Sequence, residues 1–184
     1  MVLGEIRSII NPYTQLIVTM MPGIGMDDLQ QMLGTEAQIA YVIPNTAIAV
    51  GESMTFVAPT TANKEQTDML VEMFSHMGTA MAIPYSQLGA CTALASCGIA
   101  FAMRYIRASV EGGVQLGVKA HDAQQIVTQT VKGAAELLSQ EGAHAEVEID
   151  KVTTPGGITI KGLNAMEKHG FTNAVIEGLL SSKA

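Results

Sequence analysis

Basic charge is scarce in this sequence: ten Lys and Arg residues stand against seventeen Asp and Glu, a net charge of -7 at pH 7. A chain so poor in cations lacks the electrostatic footprint for a nucleic-acid backbone or an anionic membrane surface, so neither is expected as a partner. Cysteine is nearly absent. Cys91 and Cys97 stand six residues apart, which makes neither a C-x-x-C redox pair nor half of a zinc site, and both read as small buried hydrophobes. The opening MVLGEIRSII carries Glu5 and lacks a basic start, a long apolar run and a small-residue cleavage site. No targeting segment is expected, and a cytoplasmic protein is the simplest reading. A clean membrane-length run is wanting too. Ala82 to Met103 is uncharged, but Pro84, Tyr85, Ser86 and Gln87 interrupt its start, and Ala90, Ala93, Cys97 and Ala100 recur at helical spacing. Such small residues let another helix approach closely, so the stretch reads as a packing helix and not as a span.

What is present is apolar. At 48% hydrophobic, 184 residues can fill the core of one domain or two small ones. The first part alternates short apolar runs with amphipathic ones, the pattern of an α/β layer. Strands are expected at Leu16 to Met20, Ile39 to Ile43, Met54 to Ala58 and Thr79 to Ile83, with helices after Asp27-Asp28 and from Asn63 to Met77, as half of a doubly wound sheet. Beyond Pro84 the strand pattern stops. Helices are expected at about Gln87 to Gly113, Asp122 to Gln140, Thr159 to Lys168 and Thr172 to Ser181. The predicted organisation is therefore α/β followed by all-α, with the boundary between residues 84 and 85. A helical segment this rich in Ala and Gly often buries its surface against a second copy of itself, so a homodimer is expected.

The most informative residues are Val152 to Leu163, VTTPGGITIKGL. Pro155, Gly156 and Gly157 force a tight turn, and a helical pattern begins just after them. Bare amides at a helix N-terminus, helped by the helix dipole, bind a carboxylate or phosphate. The same three residues also serve as an ordinary turn between helices, and this segment alone does not choose between the two.

Together with its surroundings the segment resembles the pyrroline-5-carboxylate reductases, whose signature has the form V-T-S-P-G-G-T-T-I-x-G-L. The family's next helix ends before a phenylalanine and an A-V-I-E run, similar to NAMEKHGFTNAVIEGL here. Its Q-T-V-x-G-A-A helix is matched by Gln129 to Ala135, and its M-P-N-T-P loop by Ile43 to Ala47. The resemblance implies a partial Rossmann-like sheet in residues 1–84, a helical dimerisation and substrate domain in residues 85–184, and reduction of a cyclic imine to proline with NADPH or NADH. It implies substrate contacts at Thr154, Gly156, Gly157, Ile158 and Thr159, the carboxylate held by the amides of Gly157, Ile158 and Thr159. The Thr159 hydroxyl would lie near the ring nitrogen, orienting the substrate. Cofactor contacts would fall at Met21, Pro22, Asn45 and Thr46, at the carboxyl ends of strands.

Family features are also missing. No G-x-G-x-x-G fingerprint occurs; Gly23-Ile24-Gly25 follows a strand, but Asp28 stands where the third glycine belongs and its charge would repel a pyrophosphate. By this reading the strand-turn-helix stretch that precedes the matched part is lacking, and the chain by itself is expected to be inactive. The family's S-G-S-G-P-A-Y turn reads ASCGIAF, Ala95 to Phe101; Tyr41 replaces an arginine, and Ala47 a proline. Three functions stay open: the reductase, a non-catalytic dimeric relative that binds a small carboxylate, and a related NADP-dependent imine reductase. His76, His121, His144 and His169 have no metal-ligand spacing, so no metal is expected.

Overall fold

The computed structural model describes residues 5–21, 23–34 and 36–182. Strand β1 (Leu16–Thr19), helix α1 (Met26–Leu33) and β2 (Gln38–Ile43) make a parallel unit, with Thr19 beside Tyr41. Strand β3 (Ser53–Pro59) runs antiparallel to β2, and β4 (Gly78–Ala82) follows helix α2 (Lys64–Ser75) to pair parallel with β3, giving the order β1-β2-β3-β4. The four strands lie where the apolar runs predict them. The direction of β3 differs from a doubly wound half, for a reason of length. The link from β2 to β3 holds only a 3-10 turn, Thr46–Val50, whereas a parallel crossover needs about a dozen residues, so the chain folds straight back.

Alternation along the strands feeds two cores. Ile39, Tyr41, Ile43, Phe56 and Ala58 face Leu29 and Leu33 of α1, while Ala40, Val42 and Val57 face Leu70 and Phe74 of α2. Helix α2 starts at a capping box: the Asn63 side chain accepts from the Gln66 amide at 2.9 Å and the Gln66 side chain accepts from the Asn63 amide at 3.0 Å. Tyr41 is the largest fully buried side chain. Its hydroxyl donates to the Ile24 carbonyl at 2.5 Å, and its ring lies 5.0 Å from that of Tyr85. Burial first, then the neighbouring Tyr85 and Asp28, push this phenol well above its ordinary value, which keeps it a neutral donor.

After a 3-10 turn at Tyr85–Gln87 the chain is helical: α3 (Leu88–Thr92), a π turn (Ala93–Cys97), α4 (Gly98–Gln115), α5 (Ala120–Leu138), α6 (Ala145–Lys151), α7 (Ile158–Lys168) and α8 (Phe171–Ser181). The expected helices are present; α6 is not among those expected, because in AEVEIDK the apolar Ala145, Val147 and Ile149 alternate with Glu146, Glu148 and Asp150 at a spacing of two, not at helical spacing. Tyr85–Gln115 is long and apolar enough to cross a membrane. It also contains Arg104, Arg107 and Glu111, and its Leu88 is buried in the sheet's core.

Two compact units result, Met1–Ile99 with Leu179–Ala184, and Ala100–Gly178. The first contains the sheet and, through Leu88, Cys91 and Ala95, the start of the long helix. The second is nearly coreless: of its residues Ala123 alone is buried. Leu116, Ile126, Met103 and Ile158 are between 58% and 87% exposed. Phe101, Tyr105, Met166, Phe171 and Val175 line an open apolar groove of about 540 Å³ with Arg104 among them.

The tightest backbone approach in the sheet is at Gly78, whose φ is +132° and where an added Cβ would come within 2.2 Å of the Ser53 carbonyl. Gly78→Ala is expected to destabilise the first unit by at least about 2 kcal/mol. Urea unfolding reads this; an unchanged midpoint would show that the β3–β4 pair adapts.

Candidate functional site

The turn at Pro155 is built by two glycines with different duties. Gly156 has φ +70°, a left-handed conformation that side chains resist. Gly157 leaves room: a Cβ there would meet the Thr154 hydroxyl at 2.4 Å and the Thr154 carbonyl at 3.0 Å. The turn closes when the Gly157 amide donates to that carbonyl at 2.9 Å. Gly157 then caps α7 in extended conformation with no side chain over the helix end. The first-turn amides of Ile158, Thr159 and Ile160 precede any acceptor within the helix, and the first turn carries no acidic residue. Bare amides plus the positive end of the dipole make a receptor for one small anion.

The geometry alters one expectation. The Gly157 amide is committed inside the turn, so the donors open to a ligand are those of Ile158 and Thr159, with Ile160 behind them. Thr154 and Thr159 are exposed at the turn's edges, and Ile158, 87% exposed, sets an apolar side chain beside the amides. Gln129 of the matched helix lies on an open face of α5, lined by His121, Gln124, Gln125, Ile126, Thr128 and Thr130 as well. One helix supplies all of that lining, so it is a surface and not an enclosed pocket.

The residues expected to meet a dinucleotide lie in the first unit. Met21 is 42% exposed just past β1, its amide held by the Thr19 hydroxyl at 3.2 Å; Pro22 lies outside the described residues. Asn45 is buried, and both ends of its side chain are engaged. Its oxygen accepts from the Ala47 amide at 3.0 Å, and its nitrogen donates to the Ala95 carbonyl in the π turn at 3.4 Å. Its own amide donates to the Ser53 hydroxyl at 3.2 Å. Asn45 therefore fixes the loop, and Thr46 beside it is exposed. Gly23-Ile24-Gly25 leads into α1, whose first turn holds Asp27 and Asp28, a poor seat for phosphate.

The histidines have local duties. His76 and His169 end α2 and α7, His144 precedes α6, and His121 lies 3.3 Å from Asp122. Among the described residues no group of three or more His, Cys, Asp or Glu is placed to hold a metal. Sequence reasoning missed two features: the π turn that receives Asn45, for which Gly98 is the only nearby mark, and the reach of the Tyr41 hydroxyl to Ile24. A polar tip on a strand's inward face was the available signal for the second.

Comparison with known proteins bears on the whole chain. Residues 85–184 match the family model described as pyrroline-5-carboxylate reductase dimerisation. Pyrroline-5-carboxylate reductases 1 and 2 of Dictyostelium discoideum are each 38% identical to this chain, over 179 and 182 residues. Each alignment takes in 91% of this chain, but only 32% and 61% of the respective relative. The chain thus spans about a third to three-fifths of those two proteins. A solved Plasmodium falciparum pyrroline carboxylate reductase with NADP bound superimposes with a TM-score of 0.91 at 26% identity, covering 98% of this chain and 71% of that one. A Coxiella burnetii pyrroline-5-carboxylate reductase gives the same TM-score at 23% identity, a likeness of fold. With residues 85–184, more than half of the chain, matched by that family model, the chain belongs to the pyrroline-5-carboxylate reductase family.

Proposed function

We propose that this chain is the substrate-holding and subunit-pairing part of a reductase that converts the cyclic imine 1-pyrroline-5-carboxylate to L-proline with NADPH or NADH in the cytoplasm. The observation that carries the reading is the bare first turn of α7 behind Gly156 and Gly157, a built receptor for one small carboxylate. Residues 1–84 serve as part of the dinucleotide-binding domain, and residues 85–184 as the dimerisation and substrate domain. The substrate carboxylate sits on the amides of Ile158 and Thr159, with Gly156 and Gly157 shaping the turn and Thr154 at its rim. The Thr159 hydroxyl orients the ring nitrogen; a neutral hydroxyl is too weak an acid for more than positioning. A dinucleotide held at Met21 and Thr46 would supply the hydride, and the ring nitrogen would take its proton from solvent or arrive protonated.

The fit to a dinucleotide is one-ended. Partly exposed Met21 and exposed Thr46, beside the immobilised Asn45, offer apolar surface, a hydroxyl and backbone, which suit the uncharged nicotinamide ring. Pro22 belongs to the same stretch. The acidic start of α1 does not suit a diphosphate, and the 184 residues hold no G-x-G-x-x-G. Purified as it stands, the chain is therefore expected to form no proline from the imine and NADPH, and turnover above background would refute this.

The coreless second unit supports a homodimer, because exposed Leu116, Ile126 and Ile158 need a cover and the matched family model is one of dimerisation. Sedimentation at low micromolar concentration should find no stable monomer; a folded monomer there overturns the pairing. In the full-length polypeptide, Gly157→Ala should raise KM for the imine about tenfold or more by displacing the Thr154 contact, and Thr159→Ala should lower kcat, with the dimer intact in both. Steady-state kinetics beside sedimentation separates these; wild-type kinetics in Gly157→Ala removes the turn from the site.

A further inference from the structure

A closed circuit of contacts surrounds Met21. Thr19 and Tyr41 are partners in the β1–β2 register, and the Thr19 hydroxyl accepts from the Met21 amide at 3.2 Å. The Met21 carbonyl accepts from the Ile24 amide at 3.4 Å, and the Ile24 carbonyl accepts from the Tyr41 hydroxyl at 2.5 Å. The circuit thus leaves Tyr41 by its backbone and returns to its side chain. Its shortest link is also the only one supplied by a fully buried group. The turn depends on it, because Gly23 and Gly25 flank Ile24 and resist bending little, and no side chain caps the start of α1.

We propose that Tyr41 is a positioning residue for the dinucleotide: its buried hydroxyl, through the Ile24 carbonyl, fixes the Gly23–Gly25 turn and with it the exposed Met21 at the carboxyl end of β1. This rests on the reading of Met21 as a nicotinamide-facing residue given above. Phenylalanine at this position keeps the ring in the core and its ring contact with Tyr85, and removes the hydroxyl with its bond to Ile24 and its interaction with the Tyr85 side chain. A buried carbonyl without its donor releases the turn while the strands stay paired.

The test uses Tyr41→Phe, with Tyr85→Phe as control, in the full-length polypeptide. Amide hydrogen exchange should speed up by roughly three- to tenfold at Met21 and Ile24, whose amides the circuit bonds, in Tyr41→Phe, with β2 and β3 amides unchanged, and Tyr85→Phe should leave all of them alone. KM for NADPH should rise by a similar factor while kcat and the KM for the imine hold. Unchanged exchange at the turn overturns the tether, as does a uniform rise across the sheet, which marks plain loss of core stability. A turn effect equal in Tyr85→Phe assigns the role to the wrong ring and also overturns it. Faster exchange with an unaltered KM for NADPH overturns the link to the dinucleotide. Failure of the wild type itself to bind NADPH is a different result: it removes the dinucleotide reading, and the positioning role with it, whatever the variants do.

Discussion

Four segments of the first unit meet at one buried amide. Asn45 accepts from the Ala47 amide, donates a hydrogen bond to the Ala95 carbonyl and, through its own backbone nitrogen, donates to the Ser53 hydroxyl at the start of β3. The end of β2, the 3-10 turn, β3 and the π turn of the long helix are thereby held in one arrangement. Low dielectric makes each bond count, because an asparagine that lost one partner would leave an uncompensated polar group in the core. The Ala95 carbonyl in the π turn accepts from the Gly98 amide and, with its second lone pair, from Asn45. Two residues that a sequence pattern treats as loop and helix filler are thus parts of one joint. The exposed Thr46 is positioned by that joint and not by contacts of its own.

The second unit is governed by the opposite condition, a surplus of unsatisfied apolar surface. Burial of Ala123 alone cannot offset the conformational entropy of ordering five helices. The Gly156-Gly157 turn belongs to this unit, and the same surplus reaches its edge at Ile158. An anion site whose neighbouring side chain awaits burial gains affinity when that burial occurs, since exclusion of water strengthens the hydrogen bonds of the bare amides. Pairing and substrate holding are thus coupled through one residue position in the proposed reading, without any contact having to change.

Legibility in the sequence followed locality. The strands were readable because alternation of Ile39, Tyr41 and Ile43 with Ala40 and Val42 is a property of adjacent residues. The capping box at Asn63 and Gln66 and the turn at Gly156-Gly157 were readable for the same reason, each being completed within about four residues. The antiparallel course of β3 was also present in the sequence, as the shortness of the link after Ile43, but a length constraint is easily outweighed by the expectation of a repeating βαβ pattern. Helix α6 has a local pattern of the wrong period: Val147 and Ile149 alternate with acidic residues as a strand would.

The asparagine joint and the tyrosine circuit were beyond reach for a different reason. Asn45 and Ala95 are fifty positions apart and Tyr41 and Ile24 seventeen, so neither bond leaves a local mark. What the sequence did display was a polar atom on an inward-facing strand position, which must find a partner if it is to be buried. At Tyr41 that requirement narrows the choices. The ring fills space among Ile39, Ile43 and Ala58, so its hydroxyl emerges beyond the aliphatic layer, where the next backbone is the turn entering α1. The family's usual arginine would bring a permanent charge and several donors to the same place, at a heavy desolvation cost inside this core. Tyrosine supplies one neutral donor, with its ionisation suppressed by burial, and so holds the turn by geometry alone.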